Sequence, residues 1–254
     1  MTQPTTPGSG AELDAPTTVE PKKPEKASLL DDFMDIFYAP SAVFARRANA
    51  SFWIPLLIVS VLLGVIFFAN RDLIDPIMEA EFARSMAKSP QAQQMTADQM
   101  ETARKFAGTL GMIFAFAGPP IVMLMLGVVI WIVGKFFDAK QSVNAAVVVA
   151  VFSYVPRVVE GVVNRVEGLL VDTSNLNSRY SLTLGLGRFF DPDTTSPILL
   201  GLIGRIDVFT IWITVLIAIG LAVTGKISRG KAAIAAAIVW LVGALPTLAG
   251  TLRQ

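Results

Sequence analysis

Five stretches of the chain are apolar over roughly the 20 residues that an α-helix needs to cross about 30 Å of hydrocarbon. They run from about 52 to 69, 106 to 133, 143 to 163, 206 to 223 and 232 to 249. The second is the longest, and Pro119-Pro120 in its middle predicts a kink, because two consecutive residues lack the N–H that a helix interior needs. The third is interrupted late by Pro156 and Arg157. Short linkers join the second to the third (134–142) and the fourth to the fifth (224–231), which fits two tight helical hairpins. The pattern therefore predicts an all-α fold, a polytopic bundle of about five transmembrane helices over residues 28–254.

The stretches between carry weaker signals. In the first long loop, 71–105, Asp75-Pro76 reads as a helix start with Pro76 at the first helical position. Met78, Phe82 and Met86 then recur every four residues among Glu79, Glu81, Arg84 and Lys88. Thr96 and Gln99 have capping-box spacing and would open a helix running into the second span. Together they predict an amphipathic helical hairpin near the membrane surface. In the second long loop, 164–204, the alternation over 181–186 predicts extended chain or a short strand. Asp191-Pro192-Asp193 predicts a turn, and Ser196-Pro197 predicts the cap and first residue of a short apolar helix. Residues 1–27, rich in Pro, Thr, Gly and charge, cannot bury enough apolar surface to offset their ordering entropy and are expected to be a disordered cytoplasmic tail.

Composition narrows the function classes. Only 16% of the 254 residues are charged while 53% are hydrophobic, a balance that suits a bilayer rather than water. The net charge of +1 has no clustered basic excess, so no nucleic-acid partner is expected. The chain has neither Cys nor His, which removes thiolate chemistry, the commonest metal ligand and the commonest general base. No catalytic, metal or cofactor-binding residues are expected. Gly220 to Lys226 has the spacing of a phosphate-binding loop, but Ile227 stands where that loop needs a hydroxyl on Mg²⁺, and the motif would close a membrane helix rather than follow a strand. No nucleotide is expected, and Gly225-Lys226 reads as a helix C-terminus. Basic residues are concentrated in the N-terminal flank and in the two short linkers, ten of 21 in all, which places the N-terminus in the cytoplasm and the C-terminus outside.

Charged groups inside the spans are few. Arg157 and Glu160 lie three apart near the end of the third span, and Arg205 and Asp207 begin the fourth. If those ends are adjacent, the four form an interhelical salt-bridge cluster, because unpaired charges at that depth are expensive. Gly108, Gly111, Gly127 and Gly134 offer places for close helix packing.

Two stretches resemble the Yip1 family. Residues 35–44, with Asp35, Tyr38, Pro40 and Phe44 just before the first span, resemble that family's juxtamembrane signature. Residues 205–212, followed by 219–226, are similar to the fourth-span pattern of its bacterial members. The eukaryotic branch has Gly before the Pro, and this chain has Ala39. The resemblance implies a five-span bundle with a cytoplasmic N-terminus. It brings no agreed catalytic residues, and the small-GTPase trafficking role of the eukaryotic branch does not transfer. The Ala-rich, Cys-free composition points to a bacterial cytoplasmic membrane. The expected role is that of a non-enzymatic membrane scaffold whose partners are lipids, other membrane proteins or itself; the alternative is a small-solute or lipid transporter.

Overall fold

The computed structural model describes residues 27–172 and 176–245, and every regular element within them is helical. The expected tail, 1–27, therefore lies outside the described residues except for Ala27. Ten α-helices follow one another: α1 (Leu29–Tyr38), α2 (Pro40–Arg47), α3 (Trp53–Ala69), α4 (Arg71–Ala87), α5 (Ala97–Lys135), α6 (Val143–Ser153), α7 (Pro156–Gly168), α8 (Pro197–Ile203), α9 (Val208–Gly225) and α10 (Arg229–Val242).

Three of these are long and apolar enough to cross a membrane: α5, the α6–α7 pair and α9. The 17-residue α3 bends by 81° into α4, and the pair makes a fourth candidate. With 14 residues, α10 is about 21 Å long and falls short of a full crossing within the described residues. The expected end of the fifth span, 246–249, lies outside them.

Helix α6 forms the centre. Residues 145–153 are all buried, so this helix is apolar on every face, as a core helix must be. Close approach on two sides comes from glycine. A Cβ on Gly127 of α5 would stand 2.7 Å from the Val147 backbone, and one on Gly220 of α9 would stand 2.5 Å from a Val149 methyl. Helix α3 covers another flank, and α10 packs behind α9 and α5.

Several expectations change. α4 starts at Arg71, not at Pro76, because the carbonyl of Asn70 accepts from Leu73 and Ile74 and starts the helix as soon as α3 ends. Pro76 sits inside α4, with only the Asp72 carbonyl losing its partner. α5 is continuous for 39 residues through Pro119-Pro120, opened by the expected capping box: Thr96 N–H donates to Gln99 at 2.9 Å and Gln99 N–H to Thr96 Oγ1 at 3.3 Å. The third span is two helices, since Pro156 cannot donate to the turn before it. Residues 181–186 form no strand. A turn there leads into a single antiparallel bridge between Gly185 and Asp207. Lys226, not Gly225, takes the left-handed C-cap conformation (φ 54°), while Gly225 stays helical and serves a close approach instead, since a Cβ there would meet Ala139 at 2.9 Å.

Candidate functional site

Asn70 closes α3, and its side-chain Nδ2 donates to the Gly161 carbonyl of α7 at 3.0 Å, pinning the two helices together. The break before Pro156 starts α7 there, so that Arg157 and Glu160 share one face a turn apart. Between α3, α5 and α7 runs a groove of about 490 Å³. Its walls are largely apolar, among them Leu63, Ile66, Phe114 and Pro119, and its polar lining is Asn70, Tyr154, Arg157, Glu160 and Asn164.

Of the four expected charges, Arg157 and Glu160 form a direct ion pair, while Asp207 and Arg205 act on it through space. Arg157 Nη1 pairs with Glu160 Oε2 at 2.5 Å, and its Nη2 donates to Thr210 Oγ1 of α9 at 2.8 Å. Asp207 is the N-cap of α9, where Oδ1 accepts from the Thr210 N–H at 2.9 Å. Asp207 therefore touches the pair through Thr210 rather than as an ion partner, and it marks a helix end rather than the interior of a span. Arg205 turns the other way. It donates to the Trp240 and Gly243 carbonyls at 2.8 and 2.9 Å and lies over the Trp240 ring, 5.3 Å from its centroid. Those carbonyls end α10, where a cation is favoured. The sequence signal for Arg157–Glu160 was their i, i+3 spacing. Asn70 carried only the signal of a polar residue closing an apolar run, and Thr210 carried none beyond its place in α9.

The second candidate element, residues 35–44, is a pair of short helices folded on each other. Ser28 caps α1 with a capping box to Asp31, and Pro40 takes the first position of α2. Phe44 is fully buried and Asp35 pairs with Arg46 at 2.6 Å, but Tyr38 is 80% exposed. The residue that organises the pair is Asp32, which is fully buried: Arg46 reaches its Oδ1 at 2.6 Å, and Arg47 bonds its Oδ2. A carboxylate one turn into an amphipathic helix reads as solvated, which is why sequence alone passed over it. The α1–α2 pair is not peripheral. Phe33 packs on Phe152 of α6, and Phe37 meets the Trp212 ring of α9 edge-on at 5.3 Å.

At the opposite end of the bundle, a wider cavity of about 1130 Å³ opens between α4, the start of α5 and the 179–200 region. Ion pairs bound it: Arg84 with Asp193 at 2.7 Å and Arg179 with Glu81 at 2.9 Å. The Arg84 guanidinium, hydrogen-bonded to Asp193, holds that carboxyl below its ordinary range. Burial works to raise Glu81, but Arg179 and Arg84 together carry it below its ordinary value.

No solved structure matches the chain. Among curated proteins it is similar to the membrane protein YknW of Bacillus subtilis (strain 168), 27% identical over 221 residues, which cover 85% of this chain and 86% of that one. The Yip1 domain matches residues 34–250, a stretch that takes in all the helices from α2 to α10, and the chain belongs to that family.

Proposed function

We propose that the chain is a non-enzymatic organising protein of a bacterial cytoplasmic membrane, acting through helix and lipid contacts. One observation carries this reading. The apolar stretch of α5 is only 17% buried, against 56% for α6–α7 and 50% for α9. Phe114, Phe116, Ile121 and Met125 stand exposed along it. A helix that gives so little of its apolar surface to its own bundle offers it to lipid or to a neighbouring helix, and small-residue positions on its flank allow close approach. Gly108 and Gly118 have nothing within 4 Å of where a Cβ would stand.

The test is photo-crosslinking in native membranes from Ile121 or Met125, with the fully buried Met123 as control. The reading expects protein adducts of fixed mass from the exposed positions and none from Met123. Lipid adducts alone would leave α5 a merely lipid-facing helix and sink the organising role.

A second reading, a lipid or small-solute transporter, is favoured by the groove beside Arg157 and Glu160. Selective flux in proteoliposomes, abolished by Glu160→Gln, would replace the first reading with this one. Glu160 suits that test better than Asp207, whose substitution would remove the cap of α9.

A further inference from the structure

The groove between α3, α5 and α7 has an uneven polar lining. Asn70 is 6% exposed, and while its Nδ2 is spent on Gly161, its Oδ1 is buried with no hydrogen-bond partner among the described residues. A buried amide oxygen left without a donor is expensive, about 1–3 kcal/mol from mutational data. The groove that Asn70 lines is where a donor would enter. Tyr154 and Asn164 line the same place, and with them two charged groups: Glu160, whose Oε2 meets Arg157, and Arg157 itself, whose charge that carboxylate balances. The site thus holds one unpaired acceptor, one anion and one cation, with no net charge.

Depth and lining say what kind of molecule fits. α3 carries 17 residues from Trp53 to Ala69, so Asn70 lies about 26 Å along the axis, near the far edge of a 30 Å hydrocarbon layer. Below it, toward the middle of the bundle, the groove is walled by Leu63, Ile66 and Phe67 of α3 and by Phe114, Ala115 and Pro119 of α5. A polar end at headgroup depth with an apolar trough beneath it matches one lipid standing in one leaflet.

We infer that the groove binds a single phospholipid with a primary-ammonium headgroup. The phosphate faces Arg157, the ammonium donates to Asn70 Oδ1 and the Glu160 carboxylate, and an acyl chain fills the α3–α5 trough. A quaternary choline headgroup has no N–H to give Asn70. An anionic glycerol headgroup would bring a second negative charge beside Glu160, and the next cation, Arg205, is turned away onto the Trp240 and Gly243 carbonyls. Only the zwitterion with N–H donors satisfies all three groups at once. The site shares Phe114 with the exposed face of α5, but its lining includes neither Ile121 nor Met125 and its polar groups lie on other helices.

The full chain, purified into phosphatidylcholine nanodiscs containing equal phosphatidylethanolamine and phosphatidylglycerol, is released in native mass spectrometry and its retained lipids counted. One phosphatidylethanolamine is expected, preferred about tenfold over the other two. Asn70→Leu keeps the size but removes the acceptor, and should lower that preference about tenfold. Gly111→Leu fills the groove without touching its polar groups, since a Cβ at Gly111 meets only Met78 Cε at 3.5 Å; it should empty the site at unchanged melting temperature. Soluble glycerophosphoethanolamine should not displace the lipid, because it lacks the chain that fills the trough. Equal retention of the three lipids overturns the proposal. So does selective retention of phosphatidylglycerol, retention undiminished in Gly111→Leu, or displacement by the soluble headgroup. If Asn70→Leu fails to fold, the Gly111→Leu arm decides.

Discussion

At the scale of single residues, the bundle depends on positions where one atom more or less is felt. Gly127 is the sharpest. A methyl there would stand 2.7 Å from the Val147 Cα, and backbone inside a fully buried helix has nowhere to retreat. Gly127→Ala should destabilise the protein by about 1–3 kcal/mol, the usual range for overpacking. Gly108→Ala, in open space on an exposed helix, should be neutral or slightly stabilising through helix propensity. Thermal unfolding of the two variants in one detergent gives the comparison, and equal melting temperatures would refute it. Sequence offered both glycines as packing sites on equal terms. Only the crossing of α5 over α6 separates them.

Asp32 argues the same point for charge. It is buried, and both of its oxygens are taken by Arg46 and Arg47, fourteen and fifteen residues further on. Asp32→Asn keeps the shape but cannot accept from both guanidinium groups at full strength. Because Arg46 remains partly exposed, water offsets some of the loss, and about 1–2 kcal/mol is expected. The readout is protease sensitivity near Arg46 and Arg47, which should rise; unchanged cleavage would mean that apolar packing alone docks α1.

The elements differ in how far the sequence announced them. Apolar periodicity marks α3, α5, α6–α7 and α9, since a helix that must satisfy its own backbone in lipid has little freedom, but it does not mark their ends: α7 runs to Gly168, five residues past the apolar stretch. Both short helices before the first span were missed as structure. A stretch such as 29–47, with five Asp or Arg among its apolar residues, reads as juxtamembrane chain until Asp32, Asp35, Arg46 and Arg47 are seen to pair with one another. Once they do, the pair can lie well up the bundle: Trp212, which Phe37 touches, is thirteen residues from the end of α9, about 20 Å along it. Its outer face carries Leu30, Met34 and Tyr38, all exposed. A cysteine at Met34 or Tyr38 should resist aqueous maleimide yet react with a membrane-permeant one. Rapid labelling by the aqueous reagent would show that the pair stands in water.

The layer that α4 makes with residues 177–193 is expected to respond to pH. Asp193 and Glu81 have carboxyls held below their ordinary range, the first by Arg84 and the second by Arg179 against the opposing effect of burial. Asp72 is lowered in the same way by its hydrogen bond with Arg165. A carboxyl lowered on folding stabilises the folded form at neutral pH, and that contribution fades as pH falls below the unfolded value of about 4. Spin labels on cysteines at Ser85 and Thr194 report the joint between α4 and the 191–195 turn, in a chain with no cysteine of its own. Their distance distribution should be narrow above about pH 5 and broaden below about pH 4. A distribution still narrow near pH 2.5 would show that the ion pairs are not what holds the layer down.

For the whole molecule the question is how often the chain crosses. Length and composition alone support three crossings, or four with the bent α3–α4 pair. Contacts at the helix ends suggest more. At one end, Lys140 N–H donates to the Gly225 carbonyl, Lys231 pairs with Asp138 at 3.1 Å, and Asn144 donates to the Ala50 carbonyl. The starts of α3, α6 and α10 and the ends of α5 and α9 are thereby gathered together. At the other end, Asn70 meets Gly161, Arg157 meets Thr210, and Arg205 grips the last carbonyls of α10. We propose from these contacts that five segments run between the same two ends, the 14 described residues of α10 being met there by Arg205. Basic residues favour the first end as cytoplasmic: Lys135, Lys140, Lys226, Arg229 and Lys231 all belong to it. Single cysteines at Lys140 and at Ser85, labelled with an impermeant maleimide in spheroplasts and in inverted vesicles, test the orientation and the crossing of α5; cysteines at Ser51 and Leu245, before α3 and after α10, test the count. Ser85→Cys and Leu245→Cys should label only in spheroplasts, Lys140→Cys and Ser51→Cys only in inverted vesicles. Labelling of Ser51 with Ser85, or of Leu245 with Lys140, would dissolve the five-crossing topology, and the reverse pattern would keep the crossings but turn the protein over.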